Sequence, residues 1–138
     1  MEYALDGYCG LYCGACPHLL NAKAGKESDA CFGCKSGQAA GWCRSCALKK
    51  CAREKGVAFC YECPEYPCPD LEGFKASAEY PYHREIYDYL DIIRNEGKDV
   101  WMEKMKIRWS CPGCGREASW WDLSCRRCGT ELDGYAKP

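Results

Sequence analysis

Two C-x2-C pairs, Cys111-Pro112-Gly113-Cys114 and Cys125-Arg126-Arg127-Cys128, carry the most readable chemistry in this sequence. Each pair can form a knuckle in which backbone N–H groups donate to thiolate sulfur. Glycine follows the second thiol both times, at Gly115 and Gly129, where a tight turn often needs positive φ. Four thiolates complete a tetrahedral Zn2+ shell and leave no open position, so the chemistry is structural. Iron in a rubredoxin-like site would accept the same ligands. The spacing predicts a zinc ribbon, with Ala118-Ser119-Trp120-Trp121-Asp122-Leu123 as its short β-hairpin arm.

A denser set lies upstream: Cys9, Cys13, Cys16, Cys31, Cys34, Cys43, Cys46, Cys51, Cys60, Cys63 and Cys68. Four C-x2-C pairs recur among them, with Cys9, Cys51 and Cys68 standing single. With His18 as a twelfth donor, the set suffices for three tetrahedral ions, and the ribbon would bring the total to about four. His18 reads equally well as a solvent-facing loop residue. Without it, one site keeps an open position or one thiol stays free, and reactivity could live there. Spacing does not decide which thiols share an ion, although the run from Cys51 to Cys68 is compact enough to form one site alone. Arg44, Lys49, Lys50, Arg53 and Lys55 sit among these ligands against Glu54, and they offset the negative charge of a four-thiolate centre.

The stretch YCGLYCGACP at residues 8–17 has the C-x3-C-x2-C spacing that holds a [4Fe-4S] cluster in radical enzymes. Such chemistry needs a partial or full β/α barrel, about 200 residues or more on barrel sizes. This chain has 138 residues and no alternating strand–helix units. The ferredoxin spacing C-x2-C-x2-C is also absent.

Cysteine makes up 15 of the 138 residues, a density explained by secreted disulfides or by intracellular metal binding. The first twenty residues show no basic start with an apolar run behind it. No stretch approaches the roughly 20 apolar residues of a membrane span. The expectation is therefore a cytoplasmic, metal-loaded protein. Formal charge is −1, and thiolates holding divalent ions would make the chain strongly acidic. Residues 107–138 carry five basic and four acidic side chains, which is no nucleic-acid footprint.

The elements that must position these ligands follow from composition. Residues 1–69 hold eleven cysteines, 70–107 none, and 108–132 four. This predicts a multi-metal module at 1–69, a helical segment at 70–107, and the ribbon with its tail at 108–138. Together they give a small metal-stabilised α+β protein with an irregular, short-helix N-terminal region. In the middle segment Ile86, Tyr89, Leu90 and Ile93 recur at i, i+3, i+4 and i+7, one face of a helix. Gly97 suits a left-handed cap after it. A second helix over 99–107 places Val100, Trp101, Lys104 and Ile107 near one face. Residues 47–55 read as a short basic helix ended by Gly56. The tyrosines at 80, 82, 87 and 89 read as packing, His83 as a surface residue, and Trp109, Trp120 and Trp121 as packing against the helices.

Several motifs in order, Cys9-Gly10-Leu11-Tyr12-Cys13-Gly14-Ala15-Cys16, Cys31-Phe32-Gly33-Cys34, Trp42-Cys43-Arg44-Ser45-Cys46, Lys50-Cys51-Ala52-Arg53-Glu54-Lys55-Gly56-Val57 and Cys60-Tyr61-Glu62-Cys63-Pro64-Glu65-Tyr66-Pro67-Cys68, resemble the DUF3795 family over roughly residues 5–75. The resemblance implies zinc binding and an intracellular, often anaerobic setting, with no reaction and no catalytic residues. No H-E-x-x-H, P-loop, Rossmann or G-x-S-x-G pattern appears, and two histidines leave few general bases. The leading reading is a zinc-binding protein-interaction or regulatory module that is not an enzyme. An iron–sulfur redox protein using the N-terminal cysteines comes second, and a thiolate- or zinc-dependent transfer enzyme third. Sequence leaves the oligomeric state open.

Overall fold

The computed structural model describes residues 3–25, 31–36 and 46–138. Cys43 and Arg44 lie outside the described residues. Among the described residues there are five α-helices: α1 (Pro17–Lys23), α2 (Ala47–Lys55), α3 (Pro69–Lys75), α4 (Ile86–Glu96) and α5 (Lys98–Arg108). Short 3-10 turns occupy Cys13–Ala15, Cys60–Glu62 and Pro81–Glu85.

The helix starts follow from local chemistry. Pro17 and Pro69 begin α1 and α3, where a ring without an N–H loses no intrahelical bond. The cysteine before each is extended, with ψ 126° at Cys16 and 161° at Cys68, as the steric clash with the proline ring demands. At the far end of α2, Gly56 takes the left-handed conformation (φ 68°, ψ 28°) and closes the helix where the sequence predicts.

The α4–α5 hairpin is the hub. Ile86 and Leu90 of α4 and Trp101 of α5 are wholly buried, and the core around them draws in Leu11 and Tyr12, Leu48 of α2, Leu71 of α3, Trp109 and Trp120. The N-terminal loop lies directly on α4. Gly10 has φ +92°, and a Cβ there would fall 2.9 Å from Leu90 Cγ and 3.2 Å from the Ile86 carbonyl. Only glycine permits that backbone and that approach. On the other side, the Trp120 ring stacks on Tyr82 at 3.9 Å and 17°, and the Trp120 N–H donates to the Ala15 carbonyl at 3.1 Å.

The expected α+β class and C-terminal β zinc ribbon are contradicted. Among the described residues there is no strand or sheet, and antiparallel pairing is reduced to the isolated bridges Asp6–Tyr12, Ser110–Glu117 and Ser124–Glu131. The proposed hairpin arm is a turn instead. The Ser119 N–H donates to Asp122 Oδ2 at 2.9 Å, and the Trp121 N–H to Ser119 Oγ at 3.1 Å. These side chains, with the Ala15 carbonyl, take the donors that a strand ladder would have used.

Three smaller expectations also change. His83 is buried, stacked on Phe74 at 3.7 Å with Tyr80 at 5.3 Å. In α5 the inward face is Trp101 and Met105, whereas Val100 and Ile107 are exposed. Gly97 has positive φ (95°) but ψ 159°, an extended mirror conformation that turns the chain straight from α4 into α5. No helix among the described residues is long and apolar enough to cross a membrane.

Candidate metal centre

The C-terminal cysteines sit on two copies of one turn. In the first, the Cys111 N–H donates to the Arg116 carbonyl at 2.9 Å and the Gly115 N–H to the Cys111 carbonyl at 2.8 Å. In the second, the Cys125 N–H donates to the Thr130 carbonyl at 2.8 Å and the Gly129 N–H to the Cys125 carbonyl at 2.9 Å. Gly115 and Gly129 have φ of 77° and 78°, as the motif requires. The two turns face each other, so that Cys111 Sγ lies 3.4 Å from Cys128 Sγ and Cys114 Sγ 3.6 Å from Cys125 Sγ.

All four sulfurs lie within 4.8 Å of one another. Zinc–sulfur bonds of about 2.3 Å in a tetrahedron imply sulfur–sulfur edges of roughly 3.8 Å, so this cluster, here called the clasp, fits a single ion with sulfur shifts of about an ångström or less. Cys111 and Cys125 are buried while Cys114 and Cys128 reach the surface. Burial pushes the Cys111 thiol up, but N–H groups of Cys114 and Gly113 and the neighbouring Cys128 thiol outweigh it and bring the group down to about 6. The N–H groups of Cys128 and Arg127 lower Cys125 in the same way. At Cys114 the Arg116 N–H lowers the thiol, but burial and the neighbouring thiols outweigh it and raise the group to about 11. Two of the four positions, Cys111 and Cys125, thus favour thiolate before any cation arrives. Sequence reasoning missed Thr130, whose Oγ1 lies 3.0 Å from Cys128 Sγ; a hydroxyl residue two positions after the last ligand was the available signal.

Among the described residues, the clasp is the only set of three or more His, Cys, Asp or Glu ligand atoms gathered so closely. The remaining predicted ligands are brought into neighbourhoods rather than into such a shell, and none of the described cysteines is disulfide-bonded. Burial raises Cys13, and the charges of Cys34, Cys16 and Cys31 raise it further. Burial and then the charges of Cys68, Cys51, Cys63 and Cys46 push Cys60 up to about 12. Buried Cys9 lies between the two groups and feels Cys34, Cys46 and Cys60. His18 lies in the first turn of α1, half-buried. Cys16, Cys46 and Cys68 occupy helix N-caps without a side-chain capping bond. A serine or aspartate there would contribute about 1 kcal/mol each, so these positions forgo a common stabilisation to carry sulfur.

Two of the predicted cations, Lys49 and Lys55, act on thiols. Lys55 Nζ lies 3.2 Å from Cys63 Sγ and also pairs with Glu65. Burial raises the Cys34 thiol, and the Tyr8 backbone and the charge of buried Lys49 offset part of that rise. Lys35, which sequence reasoning passed over, pairs with Asp6 at 2.7 Å and lies over the Phe59 ring at 3.8 Å. It thereby ties the Cys34 loop to the segment before Cys60.

A family profile described as "Protein of unknown function (DUF3795)" matches residues 5–73. The chain belongs to the DUF3795 family. The matched DUF3795 region runs from the N-terminal cysteines into α3 and stops short of the α4–α5 hub and the clasp. No curated protein and no solved structure matches the chain.

Proposed function

We propose that this DUF3795 protein is a cytoplasmic zinc-binding protein whose clasp holds one structural Zn2+ and whose N-terminal cysteines carry further ions, about four per chain in all. The observation that carries the reading is the clasp itself: four sulfurs already within 4.8 Å, two of them biased toward thiolate. Bound zinc would neutralise two of the four thiolate charges and cross-link the two turns, fixing the segment that carries Trp120. A closed four-sulfur shell offers no position for substrate, which favours a protein-interaction or regulatory module over an enzyme. Exposed Ile107, Leu123 and Val100 supply apolar surface for a protein partner.

Elemental analysis of protein purified without oxygen tests this. About four zincs per chain and no colour support it. Brown protein with acid-labile sulfide instead establishes the iron–sulfur reading, in which the N-terminal thiols hold a cluster.

A further inference from the structure

A second group of cysteines converges from three different elements. Cys51 lies midway along α2, Cys60 opens the turn Cys60–Glu62 and Cys63 follows it, and Cys68 is the residue before α3. All four line one cleft of about 20 Å³, together with Leu48, Ala52 and Tyr66. That volume is large enough for one water or one ion and no organic ligand. Asp70 is the one carboxylate on the lining.

Two independent contacts converge on the Cys63 sulfur. Its Sγ takes the N–H of Glu65, two residues on, at 3.4 Å, repeating the bond from Gly113 to Cys111 Sγ at 3.3 Å in the clasp. It also takes the Lys55 ammonium at 3.2 Å. An ammonium and an amide thus both donate to one sulfur, from outside the cleft and from its own turn.

We infer that Cys51, Cys60, Cys63 and Cys68 together form one four-thiolate metal site, separate from the clasp, with Lys55 seated on it from outside. The inference rests on the reading that this protein's cysteines hold metal, and it names four that share an ion. Soft sulfur donors in fourfold number select Zn2+ or a similar thiophilic ion over hard cations. Unlike the clasp, no three of these sulfurs lie within 4.8 Å of one another, so the ion draws them inward as it binds. A site that must close on its ion releases it faster than one already closed. Lys55 offsets part of the charge of the filled site and orients Cys63, and thus acts as a positioning residue.

The test is ion counting by native mass spectrometry on the full-length zinc-loaded protein, with release to a chelator followed in time. Cys63→Ser and Cys68→Ser are each expected to lose one ion, and the double variant to lose no more than either alone. Cys114→Ser is expected to lose a different ion, so that Cys63→Ser with Cys114→Ser loses two. Lys55→Met alters an exposed side chain and leaves the fold intact. It should speed release of one ion about tenfold, as outer-sphere changes do, with the clasp ion unaffected and with Lys55→Arg restoring the slow rate. A full ion count in Cys63→Ser, two ions lost in the Cys63→Ser/Cys68→Ser double variant, or unchanged release in Lys55→Met overturns the inference while leaving the metal-binding reading standing. Wild-type protein that holds no ion overturns both.

Discussion

The clasp takes its geometry from two local turns of identical bonding, each closed within seven residues or so and each ended by a glycine at positive φ. The Cys51–Cys68 cleft takes its geometry from α2, a 3-10 turn and the start of α3, which meet because Leu48 and Leu71 enter the common core. One set of sulfurs is preassembled by backbone hydrogen bonds, and the other depends on helices packing correctly. Local assembly gives a tight set whatever the core does. On the proposed reading, distributed assembly would make metal binding a readout of the core.

The largest expected effect breaks the clasp. Cys111→Ser removes a buried ligand, and loss of a structural zinc forfeits metal-coupled stability on the order of 10 kcal/mol. Denaturant titration followed by tryptophan fluorescence should show Trp120 leaving Tyr82 at much lower denaturant than in the wild type. An unchanged midpoint would show that the clasp contributes nothing to the fold.

Next in size is the hub. Leu90→Ala, at a wholly buried position against Gly10, should cost about 3 kcal/mol. If the comparison holds, native mass spectrometry of this variant near its melting temperature shows N-terminal ions leaving first and the clasp ion last. Simultaneous release would erase the distinction between local and distributed sites.

A comparable effect should come from acid. Burial holds the His83 imidazole down to about 4, against a small opposing contribution from the Phe74 carbonyl. Its folded value is depressed, so the unfolded chain takes up a proton as pH falls through about 6.5 while the folded protein does not. Stability from this residue is present above that value, is lost between pH 6.5 and 4, and amounts to about 3 kcal/mol. His83 packs at the hub, so the loss should fall on both regions alike. His83→Gln should flatten that part of the stability–pH curve, measured by denaturation at matched pH values. An identical slope in the variant would remove His83 from the account.

The smallest effect concerns an ion pair joining α1 to the segment that carries the clasp, Lys23 to Glu117 at 2.9 Å. Both side chains are well exposed, so Lys23→Met should shift stability by about 0.5 kcal/mol or less and leave ion counts untouched. A larger loss would mean that the two regions communicate through charge rather than through the hub.

The ease of reading this chain tracks the same division. The clasp could be seen in the sequence because its ligands, glycines and hydrogen bonds all lie within a few residues of one another. The helices at 47–55 and 86–96 were legible for a similar reason, one from its terminal glycine and the other from its periodic apolar face. The β arm was misread because the fate of the Trp120 N–H depends on Ala15, far away in sequence. His83 was placed outside because nothing local signals that Phe74 and Tyr80 will cover it. Val100 and Ile107 shared a face with Trp101 on paper, but Met105 packs where they were expected. The cleft at 51–68 was visible only as compact spacing, since its lining comes from three elements whose meeting is a property of the core.

The bond from Trp120 to Ala15 also imposes an order of events on a growing chain. Ala15 emerges early, and its partner emerges roughly 5–20 seconds later at ordinary rates of synthesis. Until then Tyr82 lacks its stacking ring, and the N-terminal loop lacks a backbone bond that helps fix it. The cysteines around that loop therefore spend the interval in an unfinished core, open to whatever ions the surroundings supply. On the proposed reading, ions would reach the two ends of the molecule at different times as well as in different structures.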